Sequence, residues 1–99
     1  MICETITETS NIFVQGNYDA EAIFVVDTEE SSITINDITV KNISGEIVID
    51  GFDKLVQQDG TNKFIDCDMT DFPILTPGVN TITVSGAATV TVKYYPIYV

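Results

Sequence analysis

The chain contains no histidine, no arginine and no tryptophan, and it has only two leucines and four alanines. Without histidine there is no imidazole base, no Ser-His or Cys-His pair and no imidazole metal ligand. Without arginine the planar fork that grips phosphate is missing. Without tryptophan the largest aromatic platform for a sugar ring is missing too. Two cysteines, Cys3 and Cys67, lie too far apart for a local metal knuckle, and no second pair completes a zinc site. Both sit in strand-like stretches and are expected to be reduced, structural thiols packing as small hydrophobes, in a protein folded in a reducing compartment. Sequence does not show the distance between them, so a disulfide stays open at this stage. No apolar run approaches the roughly 18 residues of a membrane span, and the first residues lack the basic and apolar regions of a signal peptide.

What is present points to strands. Valine, isoleucine and threonine number 11, 14 and 13 among 99 residues. Branching at Cβ restricts rotamers against a helical turn but suits a pleated surface. A hydrophobic content of 44% supplies a core. A single domain of this length buries roughly 65% of its unfolded surface. Fifteen acids against four lysines give a net charge of −11. The first fifty residues hold ten of those acids and one lysine, whereas Phe72 to Val99 holds no acid. Such a surface repels nucleic acid and anionic membranes, so neither is an expected partner. It serves solubility and is able to steer a basic partner.

Along the chain, CETITET alternates, and residues 1–10 read as a terminal edge strand or the remnant of a domain boundary. NIFVQGNY (11–18) reads as a strand ending at a Gly-Asn turn. EAIFVVD (21–27) has five apolar residues in a row, which predicts a central strand covered on both faces. DTEE (27–30) is a loop, and SSITIN and DITVKN follow with period 2. Asp50-Gly51, between two strand-like runs, predicts a type I′ hairpin turn. Ser44-Gly45 and Asp59-Gly60 mark further turns, and NKFIDCDM another strand. Thr76-Pro77-Gly78-Val79 fits a type II turn, with glycine at the position of positive φ. In NTITVSGAATVTVKYY, Ile82 and Val84 alternate with Thr81 and Thr83, and Val90, Val92 and Tyr94 with Thr89, Thr91 and Lys93. This predicts a hairpin turning at Ser85-Gly86, one face buried and one wet. The fold expected is all-β, an antiparallel two-sheet sandwich of about nine short strands. Phe72, Leu75, Ile82, Val84, Val90 and Val92 are expected in its core.

Little in the sequence carries chemistry. Asp66, Asp68 and Asp71 form the densest carboxylate cluster and are the candidate ligands for a hard cation such as calcium. The cluster lacks the glycine and the terminal glutamate of an EF-hand loop, and solvated strand-end carboxylates are the plainer reading. Paired carboxylates perform glycoside hydrolysis in other folds, but the acids here lie mostly in loops and on polar faces. No enzyme activity, no resident metal and no cofactor are expected. Tyr94 continues the buried face of the last strand, which leaves Tyr95 and Tyr98 as candidate interface residues.

FPILTPGVNTITVSGAATVTVKYYP resembles the closing segment of the distal tail protein of long-tailed, siphovirus-type phages. The matching positions are Phe72-Pro73, Leu75, Pro77-Gly78, Asn80 with Ile82, Ser85-Gly86, and Val90, Val92, Tyr94 and Pro96. GNYDAEAIFVV followed by ITIND, and EIVIDG, match upstream pieces in the same order, so the likeness runs over about Asn11 to Val99. Family members often carry an arginine after the final proline, where this chain has Ile97. The resemblance implies a galectin-like, jelly-roll-like β-sandwich over residues 11–99, the C-terminal part of a longer protein whose N-terminal part forms a hexameric ring. It implies a non-enzymatic structural module of the virion tail tip or baseplate, assembled in the cytoplasm of a bacterial host, encoded by a phage or prophage. The module projects from the hub ring and docks tip or receptor-binding proteins, and in isolation it is expected to be a monomer. Galectin-like names a fold and does not establish sugar binding. The alternative is an adhesion module that contacts host cell-wall glycan through Tyr95 and Tyr98, aided by calcium at Asp66 to Asp71.

Overall fold

Alternation of branched apolar and polar residues becomes strands wherever one face can be buried. The structure, a computed structural model, describes residues 1–43, 45–58, 61–62, 67–68 and 72–99. Thirteen strands lie among them: β1 (Ile2–Ile6), β2 (Ser10–Val14), β3 (Ala20–Thr28), β4 (Ser32–Ile35), β5 (Ile38–Lys41), β6 (Gly45–Asp50), β7 (Leu55–Gln58), β8 (Thr61–Asn62), β9 (Cys67–Asp68), β10 (Ile74–Leu75), β11 (Gly78–Ile82), β12 (Val84–Ser85) and β13 (Ala88–Tyr94). Nine of these have four residues or more. The other four are two-residue pairings, too short to leave a period in the sequence. Among the described residues no helix is long and apolar enough to cross a membrane.

Every strand pairing is antiparallel, and the strands form three sheets rather than the two expected. The large sheet runs β1-β13-β3-β6-β7-β8, with β10 also on β3. The small sheets are β11-β2 and β12-β4-β5-β9. They are separate because the chain breaks at Thr83, between β11 and β12. Asn36, at the tip of the β4–β5 turn with φ 54°, occupies that break. Its Oδ1 accepts from the backbone N–H and the hydroxyl of Thr83 (2.9 Å each), and its own N–H donates to the Thr83 carbonyl (2.8 Å). Thr9 performs a similar service one residue on, accepting the Val84 N–H at 3.0 Å. Side chains, together with this one backbone bond, thus bridge the two small sheets where strand pairing stops.

Inward faces from all three sheets meet in one core. Phe24 and Val26 come from β3, Ile47 and Ile49 from β6, Val90, Val92 and Tyr94 from β13, and Ile33, Ile35, Ile38 and Val40 from the β4–β5 hairpin. Ile12 and Val14 close it from β2 and Ile82 from β11. Leu75, Ile82, Val90 and Val92 are buried as expected, whereas Phe72 and Val84 are only half-buried against the core edge. Strand β3 is central, with even-numbered residues buried, but Ile23 and Val25 on its other face are half-exposed, so only one face is fully covered.

Three sequence expectations are corrected. The run from Asn80 to Tyr94 is not a hairpin: β11 pairs with β2, β12 with β4, and β13 with β3 and β1. Ser85-Gly86 is a crossover between sheets, and Gly86 (φ 100°) packs where a Cβ would strike Glu30 and Ile33. Asp50-Gly51 does open a hairpin, but Asp50 pairs with Leu55 across a four-residue loop, and the residue with positive φ is Lys54 (57°). Asp50 Oδ1 accepts the N–H groups of Phe52 and Asp53 and shapes that loop. Cys3 is exposed, on the outer face opposite Lys93, because its strand is an edge and its parity points outward. Ser44, Asp59-Gly60 and most of NKFIDCDM lie outside the described residues. Gly78 has the expected positive φ (96°), but as the first residue of β11, paired with Val14.

The Asn36 bridge is testable. Asn36→Gly keeps the left-handed backbone but removes the bonds, whereas Asn36→Ala loses both. Denaturant unfolding is expected to show a loss of about 1–2 kcal/mol for Gly and a larger loss for Ala. Wild-type stability in both would contradict the bridge.

Candidate functional site

The most distinctive surface lies where the chain leaves β13. Tyr94 is fully buried, and its hydroxyl accepts the N–H of Gln15 at 3.0 Å, which anchors the loop between β2 and β3 to the core. That loop then captures the C-terminal segment. Asn17 N–H donates to the Ile97 carbonyl at 2.8 Å. The Asn17 side chain acts toward Val99 as a neighbouring strand would, with Oδ1 accepting the Val99 N–H (2.8 Å) and Nδ2 donating to the Val99 carbonyl (2.9 Å). Gly16 (φ 110°) lies directly beneath Ile97, and a Cβ there would sit 2.6 Å from the Ile97 carbonyl oxygen. The Gly-Asn pair is therefore a clip, and both residue types are required by it.

Because the clip grips backbone, the side chains of the segment remain outside. Tyr95 is 53% exposed and Tyr98 69%. Tyr95 meets the Phe52 ring edge to face, centroids 5.9 Å apart at 76°. Tyr18 and Ile97 are bridge partners. The structure thus joins Tyr95 to Phe52 and the C-terminal segment, at Ile97, to Tyr18, two aromatics that sequence reading passed over. The available signal was their position: Tyr18 follows the Gly-Asn bend and Phe52 lies within the loop after Asp50, where nothing structural asks for an aromatic. Beside them Lys54 Nζ pairs with Glu21 Oε2 at 2.6 Å, donates to the Gly51 carbonyl, and lies 5.7 Å from the centre of the Phe72 ring. This ion pair is half-exposed and worth little in itself, but it holds the loop containing Phe52 against β3.

Asp68 is exposed in β9, and Asp66 and Asp71 lie outside the described residues. Among the described residues no group of three or more His, Cys, Asp or Glu side chains could hold a metal ion. An open groove of about 720 Å³ at the other end of β3 is lined by Thr7, Asp27, Glu29, Glu30, Ala87 and Thr89. Its polar side chains are carboxylates and hydroxyls, with no lysine to form an acid–base pair. Cys3 and Cys67 are both free thiols, and burial together with the neighbouring Asp68 pushes the Cys67 thiol above its ordinary pKa.

Residues 42–98 match the family model described as siphovirus-type tail component, C-terminal domain. The chain belongs to this family. No curated protein and no solved structure shows a significant match. As a siphovirus-type tail component, the domain has a structural role in the virion tail, in a family that is generally non-enzymatic, and its partners are other tail proteins. The matched span contains β6 to β13, Phe52 and all of the C-terminal segment except Val99, whereas the Gly16–Asn17 clip lies upstream of it.

Two outcomes follow from this geometry. Gly16→Ala displaces the tail: amide exchange at Asn17 and Val99 accelerates while global stability falls by only about 1–2 kcal/mol. Unchanged exchange at both would contradict the clip. Thiol titration at mildly alkaline pH labels Cys3 first and Cys67 later, since partial burial and Asp68 disfavour the Cys67 thiolate. Equal rates would contradict that placement.

Proposed function

We propose that this domain is the C-terminal, galectin-like module of a phage distal tail protein, a non-enzymatic part of the tail tip that projects from a hub ring and docks tip or receptor-binding proteins. The family match over residues 42–98 carries this reading. The order of motifs from Asn11 to the end supports the finer assignment, and the adjoining small sheets opposite the large one are compatible with a two-layer sandwich. An exposed aromatic cluster with no structural duty of its own supports a docking role. In the assembled particle the ring is formed by another part of the protein, and this module contributes outward-facing surface.

Immunogold electron microscopy of phage particles, with antibody raised against this domain, tests the assignment. Label confined to the distal tail tip is the expected result. Label along the tail shaft would overturn the tip assignment. Labelled host cell walls beside bare tails would overturn it in favour of an adhesion module.

A further inference from the structure

We infer that the end of the domain where the C-terminal segment crosses the β2–β3 and β6–β7 loops is its docking surface, and that the occupant is a tail protein presenting an apolar centre with a basic rim. The inference rests on the tail-tip reading and adds to it the surface and the chemistry of the partner.

Single exposed apolar residues are ordinary and need no explanation. Here Tyr18 (59% exposed), Phe52 (39%), Tyr95, Ile97 and Tyr98 lie on three chain segments that touch one another. Aromatic residues are enriched, and charge depleted, at the centres of protein interfaces, because rings bury a large area at small entropy cost. The rim supplies the second half of the argument. Asp19 and Asp53 directly follow Tyr18 and Phe52 in the chain, and both are exposed. Lys54, next to Asp53 in the chain, is engaged with Glu21 and the Gly51 carbonyl. No acid follows Asp71 in the sequence, so the C-terminal segment brings no carboxylate side chain to the patch. An apolar centre within an acidic rim is complementary to an apolar centre within a rim of Lys and Arg, and Tyr faces also accept cations.

Asn17 is the positioning residue of this surface. It touches no partner itself but fixes the backbone at Ile97 and Val99, and so the direction of Tyr98. Side chains at the far end of β3 offer no comparable patch, only the carboxylate-lined groove.

The test places a photo-crosslinking amino acid at Tyr95, Tyr98 or Phe52 in the full-length protein assembled into phage particles. Phe13, equally apolar and 66% exposed on the outer face of β2, is the control position. Crosslinked peptides are identified by mass spectrometry of purified particles. Positions 95, 98 and 52 are expected to reach one tail protein, in segments with apolar residues flanked by Lys or Arg, and position 13 is not. Combining Asp19→Lys with Asp53→Lys is expected to cut the yield roughly tenfold. Asn17→Ala is expected to lose the crosslink from position 98 while keeping that from position 52 and the wild-type melt. Crosslinks no stronger at 95 and 98 than at 13, or crosslinks into acidic segments or cell-wall glycan, would overturn the docking surface. Equal loss at 52 and 98 in Asn17→Ala would overturn the positioning role. Absence of the chain from the particles would overturn the tail-tip reading and this inference together, whereas presence without crosslinks overturns this inference alone.

Discussion

Strand β3 is hydrogen-bonded along both edges, and the rest of the domain is arranged by that. One edge takes β13, from Ala22 to Thr28. The other takes β6 from Ile23 to Thr28 and then β10 at Ala20 and Glu21. Two strands can share one edge only if the first turns away sharply, and Gly51 is where it does. Its N–H donates to the Ala22 carbonyl at 2.8 Å, and a Cβ there would fall 2.5 Å from that oxygen and 2.8 Å from the Pro73 carbonyl. Ala22 meanwhile donates to Pro73 at 3.1 Å. Small residues at Ala20, Ala22 and Gly51 thus let three segments crowd one end of the strand. The same crowding delivers the Phe52 loop to the place where the chain leaves β13.

From that end, consequences run outward one bond at a time. Tyr94 pairs with Ala22 across the sheet, the largest buried side chain opposite one of the smallest. A buried phenol needs a partner, since an unsatisfied hydroxyl costs roughly 1–3 kcal/mol, and Gln15 N–H supplies it. Gln15 precedes Gly16 and Asn17, so satisfying the core hydroxyl also sets the clip. The clip then spends backbone and amide groups on the tail and leaves Tyr95, Ile97 and Tyr98 outside the core. Core, loop and exposed surface form one causal sequence, and side chains released from structural duty are those open to recognition.

Alternation was legible because it reports which face of a strand is wet. Val90, Val92 and Tyr94 were read correctly as inward, and Tyr95 and Tyr98 stood out because they fall beyond that pattern. Alternation does not report which strand lies alongside. For that reason β11 and β13 looked like a hairpin although each pairs elsewhere. The DG pair likewise identified a hairpin but not its loop length, because tertiary crowding at Gly51, not positive φ, dictates the glycine. Asn36 and Asn17 were illegible for a related reason. Their side chains bond to backbone 47 and 82 residues away, and no local window holds both partners. Asp66 and Asp71 fall outside the described residues, and of the carboxylate cluster only Asp68 is placed, in β9 opposite Thr39.

Charge and apolar surface act over different distances in such a domain. Asp27 and Glu46 sit directly opposite each other across β3 and β6, an arrangement that costs stability. With fifteen acids in 99 residues the fold tolerates such repulsion widely. Field of this kind reaches about 8 Å through physiological salt and draws basic surfaces without distinguishing among them. It sets the rate of encounter rather than the choice of partner. Choice requires side chains that desolvate on contact, and carboxylates at the acidic end resist desolvation. Around Tyr95 exposure and large apolar area occur on a segment whose backbone Asn17 holds, which is what the proposed docking surface needs in order to choose among acid-seeking partners.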